Sequence, residues 1–234
     1  MSALNQMIAL LESLSVDSTI AFIASFVLIL ISFSLFYQRR KRAIFFLFLA
    51  GISIGLGFAL IDPFFHFWDE KPHALVAKNL AETPFHPRLL NSDLVNYYYT
   101  NWINNYTWLH KPPLALWQMA LSIKLFGASV LSVRIPSILL HALTSVLVYR
   151  IGVSVFSRNI GYFGALAYLL MNYNLELVAG VHTADHIDTS FTFYITASIW
   201  AFIKYQKSKE TKWVYLIGVL SLIHISEPTR LRRI

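Results

Sequence analysis

Two points in this 234-residue chain carry residue types that could do chemistry: Trp68-Asp69-Glu70 and His110-Lys111-Pro112-Pro113. Asp69 and Glu70 are adjacent carboxylates just ahead of a helix start, where the positive end of a helix dipole favours ionised acids. Adjacent acids repel, which separates their proton affinities. One acid of such a pair suits a base that takes a proton from a hydroxyl or amine. A solvated acidic turn is the plainer reading of the same two residues. Lys111 precedes two prolines that fix the backbone and bias it away from helix. A cation held in that way could grip a lipid phosphate as a point charge, the ordinary alternative being an interfacial lysine. Arg134 opens an apolar run, and either snorkels to the surface or joins Lys111 at a phosphate. His182-Thr183-Ala184-Asp185-His186-Ile187-Asp188 crowds ionisable groups at the edge of a span, where they are costly and usually have a job. His182 and His186 are one helical turn apart and could hold a divalent metal with Asp185. No further ligand is evident, so a hydrogen-bonding or substrate-orienting role is expected, with no metal and no cofactor indicated.

The elements that position these residues are set by composition. Hydrophobic residues make up 56% of the chain and charged residues 13%, about half the charge of an ordinary globular protein. With a mean hydropathy of +0.56, most of this apolar surface needs lipid as its solvent. The net charge of +7 falls in short clusters beside apolar runs, which is the pattern of anchors facing membrane lipids and not of a nucleic-acid surface. There is no cysteine, which excludes disulfides and thiolate metal sites.

Residues 19–37 are uncharged and long enough to cross a hydrocarbon layer of roughly 30 Å. The run Arg39-Arg40-Lys41-Arg42 behind them places that loop in the cytoplasm. Residues 43–61 return outward, with Gly51, Gly55 and Gly57 spaced for close helix contact. A long outer loop, 62–113, follows, rich in Tyr and Trp and containing a short surface helix over 72–82, with Pro72 in its first turn. Residues 114–126 are apolar but short and are expected to lie flat. This orientation keeps Arg150, Arg158 and the lysines from Lys204 to Lys212 on the same side as Arg39 to Arg42. Spans over 130–156, 160–177 and 189–205 follow, with another beginning at Trp213. The expectation is an all-α polytopic membrane protein with about five complete transmembrane helices, a truncated sixth, and interfacial helices in the first outer loop. Residues 1–42 form an extra span and basic loop, and 43–219 the main membrane domain. Residues 220–234 resemble the in-frame translation of a sequencing adapter, so the natural chain is expected to continue differently.

The order Asp69-Glu70, then His110-Lys111-Pro112-Pro113-Leu114 with Trp117, then Leu125-Phe126-Gly127, then Arg134-Ile135-Pro136-Ser137 resembles C-type membrane glycosyltransferases. It is most similar to the group that holds the protein O-mannosyltransferases and the bacterial aminoarabinose transferase of lipid A. The resemblance covers about 43–219. It implies a polyprenyl-phosphate-sugar donor, an acceptor (lipid A, protein or another glycan) in the outer compartment, and inversion at the sugar carbon. It further implies Asp69 as catalytic acid with Glu70 beside it, Lys111 at the donor phosphate, and Asp188 as a second outer-loop acid, with Asp185 its rival. The expected place is a bacterial inner membrane, with the site on the periplasmic side. A non-enzymatic transporter or flippase fragment is the alternative; it expects paired charges deep inside several spans.

Overall fold

The computed structural model describes residues 16–66, 69–90, 107–108, 111, 113–180 and 186–222. Among them the chain forms nine helices: α1 (Val16–Tyr37), α2 (Ala43–Ala59), α3 (Glu70–Glu82), α4 (Pro113–Phe126), α5 (Val130–Val155), α6 (Arg158–Leu169), α7 (Asn172–Ala179), α8 (His186–Ser208) and α9 (Thr211–Leu222). The described residues contain no strand, only an isolated antiparallel bridge between Arg88 and Thr107.

α1 shows why lipid is the solvent. Its buried positions include Ser18, Ser25 and Ser32, seven residues apart, while Ile20, Ile23 and Phe26 are each about three-fifths exposed. A water-soluble helix would be arranged the other way round. The serines let α1 approach its neighbours closely. Ser25 Oγ donates to the Ala50 carbonyl at 3.1 Å, and Ser32 Oγ donates to that of Ala43 at 2.8 Å and lies 3.0 Å from the Tyr162 hydroxyl. α1 and the 26-residue α5 are long and apolar enough to cross a membrane, whereas α2, α4 and α9 are apolar but shorter. The molecule is an integral membrane protein.

α2 packs between α1 and α5. A Cβ on Gly51 would come 3.0 Å from that of Ala142, and one on Gly55 3.1 Å from Ile138, so the expected small-residue contact forms, and it forms against α5. The expected span over 160–177 is not continuous. It breaks at Leu170 and Met171, where Met171 is extended (φ −66°, ψ 119°) and α7 restarts. The carbonyls exposed by the break find side-chain donors. Asn174 Nδ2 donates to the Tyr168 carbonyl at 3.1 Å, and His141 Nε2 lies 3.2 Å from that of Leu169. Interrupted helices persist at membrane depth only when such groups are satisfied by protein.

α3 begins at Glu70, two residues earlier than expected, and is more than a surface helix. Ala74, Val76, Ala77 and Leu80 pack with Leu116, Met119 and Ile123 of α4 into the largest hydrophobic cluster. α4 finds its partners in α3, α5 and α8. At the opposite end of the bundle the bases tie helix ends together. Arg158 Nη2 donates to the Phe36 carbonyl at 2.8 Å, Lys207 Nζ donates to that of Ser154, and the Arg150 guanidinium lies 5.6 Å from the Trp200 ring.

Candidate active site at the converging helix ends

Five helix ends meet around one carboxylate. Glu70, the first residue of α3, is 3% exposed. Its Oε1 accepts from Arg134 Nε at 2.7 Å and lies 2.8 Å from His186 Nε2. Its Oε2 accepts from Arg134 Nη2 at 3.0 Å and from the backbone N–H of His66 at 2.6 Å. Arg134 comes from the first turns of α5 and His186 from the start of α8.

Arg134 completes the knot by reaching past Glu70 to the end of α2. Nη1 donates to the carbonyls of Ala59 and Asp62 at 2.8 and 2.6 Å, and Nη2 to that of Phe64 at 2.9 Å. With the two bonds to Glu70, all five N–H donors of the guanidinium are engaged. The expectations for Arg134 are corrected accordingly. It does not snorkel, being 1% exposed, and it has no donor left for a phosphate.

The fifth helix end is that of α7, closed by Gly180 at φ +67°. A Cβ there would lie 2.7 Å from Glu70 Oε1 and 2.9 Å from His186 Nε2. Only glycine permits both the left-handed turn and this approach to the carboxylate. Sequence reasoning passed over Gly180; its signal is a glycine directly ahead of the histidine-rich stretch.

Burial alone would raise the proton affinity of Glu70. Hydrogen bonds from His186 and Arg134, together with their charges, outweigh it and hold the carboxyl at about 2, below its ordinary 4.5. Such an acid stays ionised and is a poor base at neutral pH. The catalytic role expected for Glu70 therefore gives way to an anchoring one.

Asp69 is the neighbour with different circumstances. It occupies the N-cap position of α3, half-buried, and its side chain makes no capping bond. Its carboxylate stands at the helix's positive end without being engaged in closing the helix.

The loop stems are pinned along α3. Asn79 Nδ2 donates to the carbonyls of Arg88 and Leu89 at 2.8 and 3.3 Å. Trp108 N donates to the Pro87 carbonyl at 3.0 Å, and the buried Trp108 ring meets His73, one turn from Asp69, edge-on at 5.3 Å. Lys111, half-buried, follows three residues later and leads directly into α4. Asp188 lies exposed in the first turn of α8, two residues from His186. Asp69 and Asp188 thus stand next to members of the knot, whereas the start of α4 that Lys111 leads into lies by the other end of α3, where Trp117 Nε1 donates to the Pro84 carbonyl at 2.7 Å. His182, Asp185 and His110 lie outside the described residues. Among the described residues no three acids or histidines converge on a metal position.

A polar pair between α4 and α8 was not anticipated. Gln118 donates to the Tyr194 hydroxyl and accepts from Ser190 Oγ at 3.1 Å. Its signal is a lone amide in an otherwise apolar run.

Residues 110–222 match the family described as dolichyl-phosphate-mannose-protein mannosyltransferase. Over 113 residues the chain is 30% identical to an uncharacterized protein of Aquifex aeolicus (strain VF5), covering 47% of this chain and 22% of that one. The match thus spans about a fifth of that relative's length. No solved structure matches the chain. The family match takes in Lys111, Arg134, His186 and Asp188 and stops short of Asp69 and Glu70. It bears out the resemblance to C-type glycosyltransferases and supports a glycosyltransferase of that general type.

Proposed function

We propose that this chain, similar over 110–222 to the dolichyl-phosphate-mannose-protein mannosyltransferase family, is part of a membrane enzyme that moves a sugar from a polyprenyl-phosphate donor to an acceptor, with inversion. The acceptor is lipid A, a protein or another glycan, met on the face opposite the basic helix ends. Asp69 takes the proton from the acceptor's nucleophilic atom as that atom bonds to the sugar's anomeric carbon. The bond from that carbon to the phosphate oxygen breaks through an oxocarbenium-like state, as in glycoside chemistry generally. The electron pair leaves on the phosphate, where the Lys111 ammonium stabilises the charge. A lipid phosphate leaves as an anion and needs no general acid. Asp188, or its rival Asp185, orients donor or acceptor. Glu70, Arg134 and His186 hold the helix ends on which these groups stand. The proposed setting is a bacterial inner membrane with the site on its periplasmic side.

The observation that carries this reading is the division of labour within the acid pair. Glu70 is buried and wholly engaged, while Asp69 is half-buried and its side chain makes no capping bond. A transporter would instead carry paired charges near mid-helix; among the described residues the buried ion pairs lie at helix ends. The test is transfer by the full-length protein from a polyprenyl-phosphate-sugar donor. Asp69→Asn should lose about 100-fold or more in turnover, and Lys111→Ala should weaken use of the donor. Unchanged transfer in both variants would end the enzymatic reading.

A further inference from the structure

At the basic end of the bundle, between α1 and α6, lies a cavity of about 580 Å³ lined by Phe36, Tyr37, Arg39, Arg158, Asn159 and Phe163. We infer that it binds the headgroup of an anionic phospholipid from the leaflet at that end.

Both arginines occupy positions that local physics disfavours. α1 ends in a Schellman motif: Arg40 N donates to the Leu35 carbonyl at 2.9 Å and Arg39 N to that of Phe36 at 3.0 Å. This puts Arg39 in the left-handed region at φ 57°, where helices ordinarily place glycine. Arg158 is the first residue of α6, just after its Ser157 cap, so its charge faces the positive end of the helix dipole. Two such departures meet at one cavity, and the contacts of Arg158 with Phe36 hold its guanidinium at the cavity wall.

The chemistry of the lining fits a phosphate diester with an apolar body. Arg158 donates one N–H to the Phe36 carbonyl at 2.8 Å and lies 4.4 Å from the Phe36 ring. That ring is itself held by stacking on Tyr162 at 4.0 Å, which fixes the direction of the guanidinium. Among the described residues neither Arg39 nor Arg158 pairs with a carboxylate. Guanidinium forks match phosphate oxygens, and the aromatic walls suit glycerol and the first acyl carbons. Basic pockets between membrane helices hold lipid headgroups for these reasons. Arg40, Lys41 and Arg42 next to the cavity raise the local concentration of anionic lipid. Phe36, Tyr37 and Arg39 lie outside the stretch matched by the mannosyltransferase family, and Arg158, Asn159 and Phe163 lie within it.

The test uses the full-length protein in mixed micelles of phosphatidylglycerol and phosphatidylcholine, with retained lipid read by native mass spectrometry. Phosphatidylglycerol should be retained preferentially. Arg39→Gly and Arg158→Gln should each lower that preference about fivefold, the factor expected for one cation at a lipid surface. Arg39→Gly should do so without lowering the melting temperature, because glycine suits the left-handed position. Lys41→Gln, in the adjoining loop, should lower the preference clearly less than either arginine variant. Equal retention of the two lipids, or equal loss in Lys41→Gln and Arg39→Gly, would overturn the proposal. So would displacement of the lipid by inorganic phosphate alone, which would mark a site for a soluble anion.

Discussion

A carboxylate that accepts from a buried guanidinium, an imidazole and a backbone N–H has little affinity left for a proton, and Glu70 is such a group. Its depression from 4.5 to about 2 corresponds to about 3 kcal/mol of pH-dependent stability. The unfolded chain binds the proton more readily than the folded one. The contribution is therefore complete above pH 4.5 and is lost as the pH falls toward about 2. Denaturation of the detergent-solubilised protein should show that loss. Glu70→Gln should remove the pH dependence in this window and cost about 3–5 kcal/mol, because Arg134 would remain buried and charged without its partner. A Glu70→Gln variant as stable as the parent would show that the cluster does not hold the fold. The acid pair itself was legible as two adjacent letters. Which member is buried was not, because the answer rests on Arg134, 64 residues away, and on a glycine whose missing side chain makes the space.

At the scale of elements, the uncharged runs foretold most helices to within a few residues, since lipid tolerates few charges and the helix period does the rest. Two features escaped. Ser25 and Ser32 were read simply as part of an apolar span and Ser18 as lying before it, although the seven-residue spacing of the three draws the contact face of α1. The break between α6 and α7 falls at Leu170-Met171, which contains neither glycine nor proline. Its signal is the pair Asn172 and Asn174 just beyond, polar residues with no reason to enter lipid unless backbone carbonyls await them. Asn174→Ala should leave the Tyr168 carbonyl with only the Met171 N–H, at 3.3 Å, and destabilise the protein by about 1 kcal/mol. Thermal unfolding in detergent checks this, and an unchanged melting temperature would mean that another group satisfies that carbonyl.

The whole molecule has two chemically distinct ends. Glu70, Arg134 and His186 knot five helix ends together at one, with Asp69 and Asp188 next to members of the knot. Arg39, Arg150, Arg158 and Lys207 gather at the other, where Arg39 and Arg158 line the cavity between α1 and α6. Clusters of Lys and Arg made this division readable from the sequence, because bases collect on the cytoplasmic side. The convergence of α2, α3, α5, α7 and α8 on one carboxylate was not readable, since it depends on contacts between residues far apart in the chain. The separation of the two ends is the claim on which the proposed chemistry rests. The 234 residues contain no cysteine, so a single introduced thiol reports one position in each variant. The most direct measurement is labelling of Asp69→Cys, Lys111→Cys, Asp188→Cys, Arg40→Cys and Lys207→Cys in intact cells with a membrane-impermeant thiol reagent. The first three should react from outside, and the last two only after the membrane is opened. Labelling of Asp69→Cys and Lys207→Cys from the same side would contradict the two-ended arrangement and, with it, the placement of the acid and the lysine at a shared outer site.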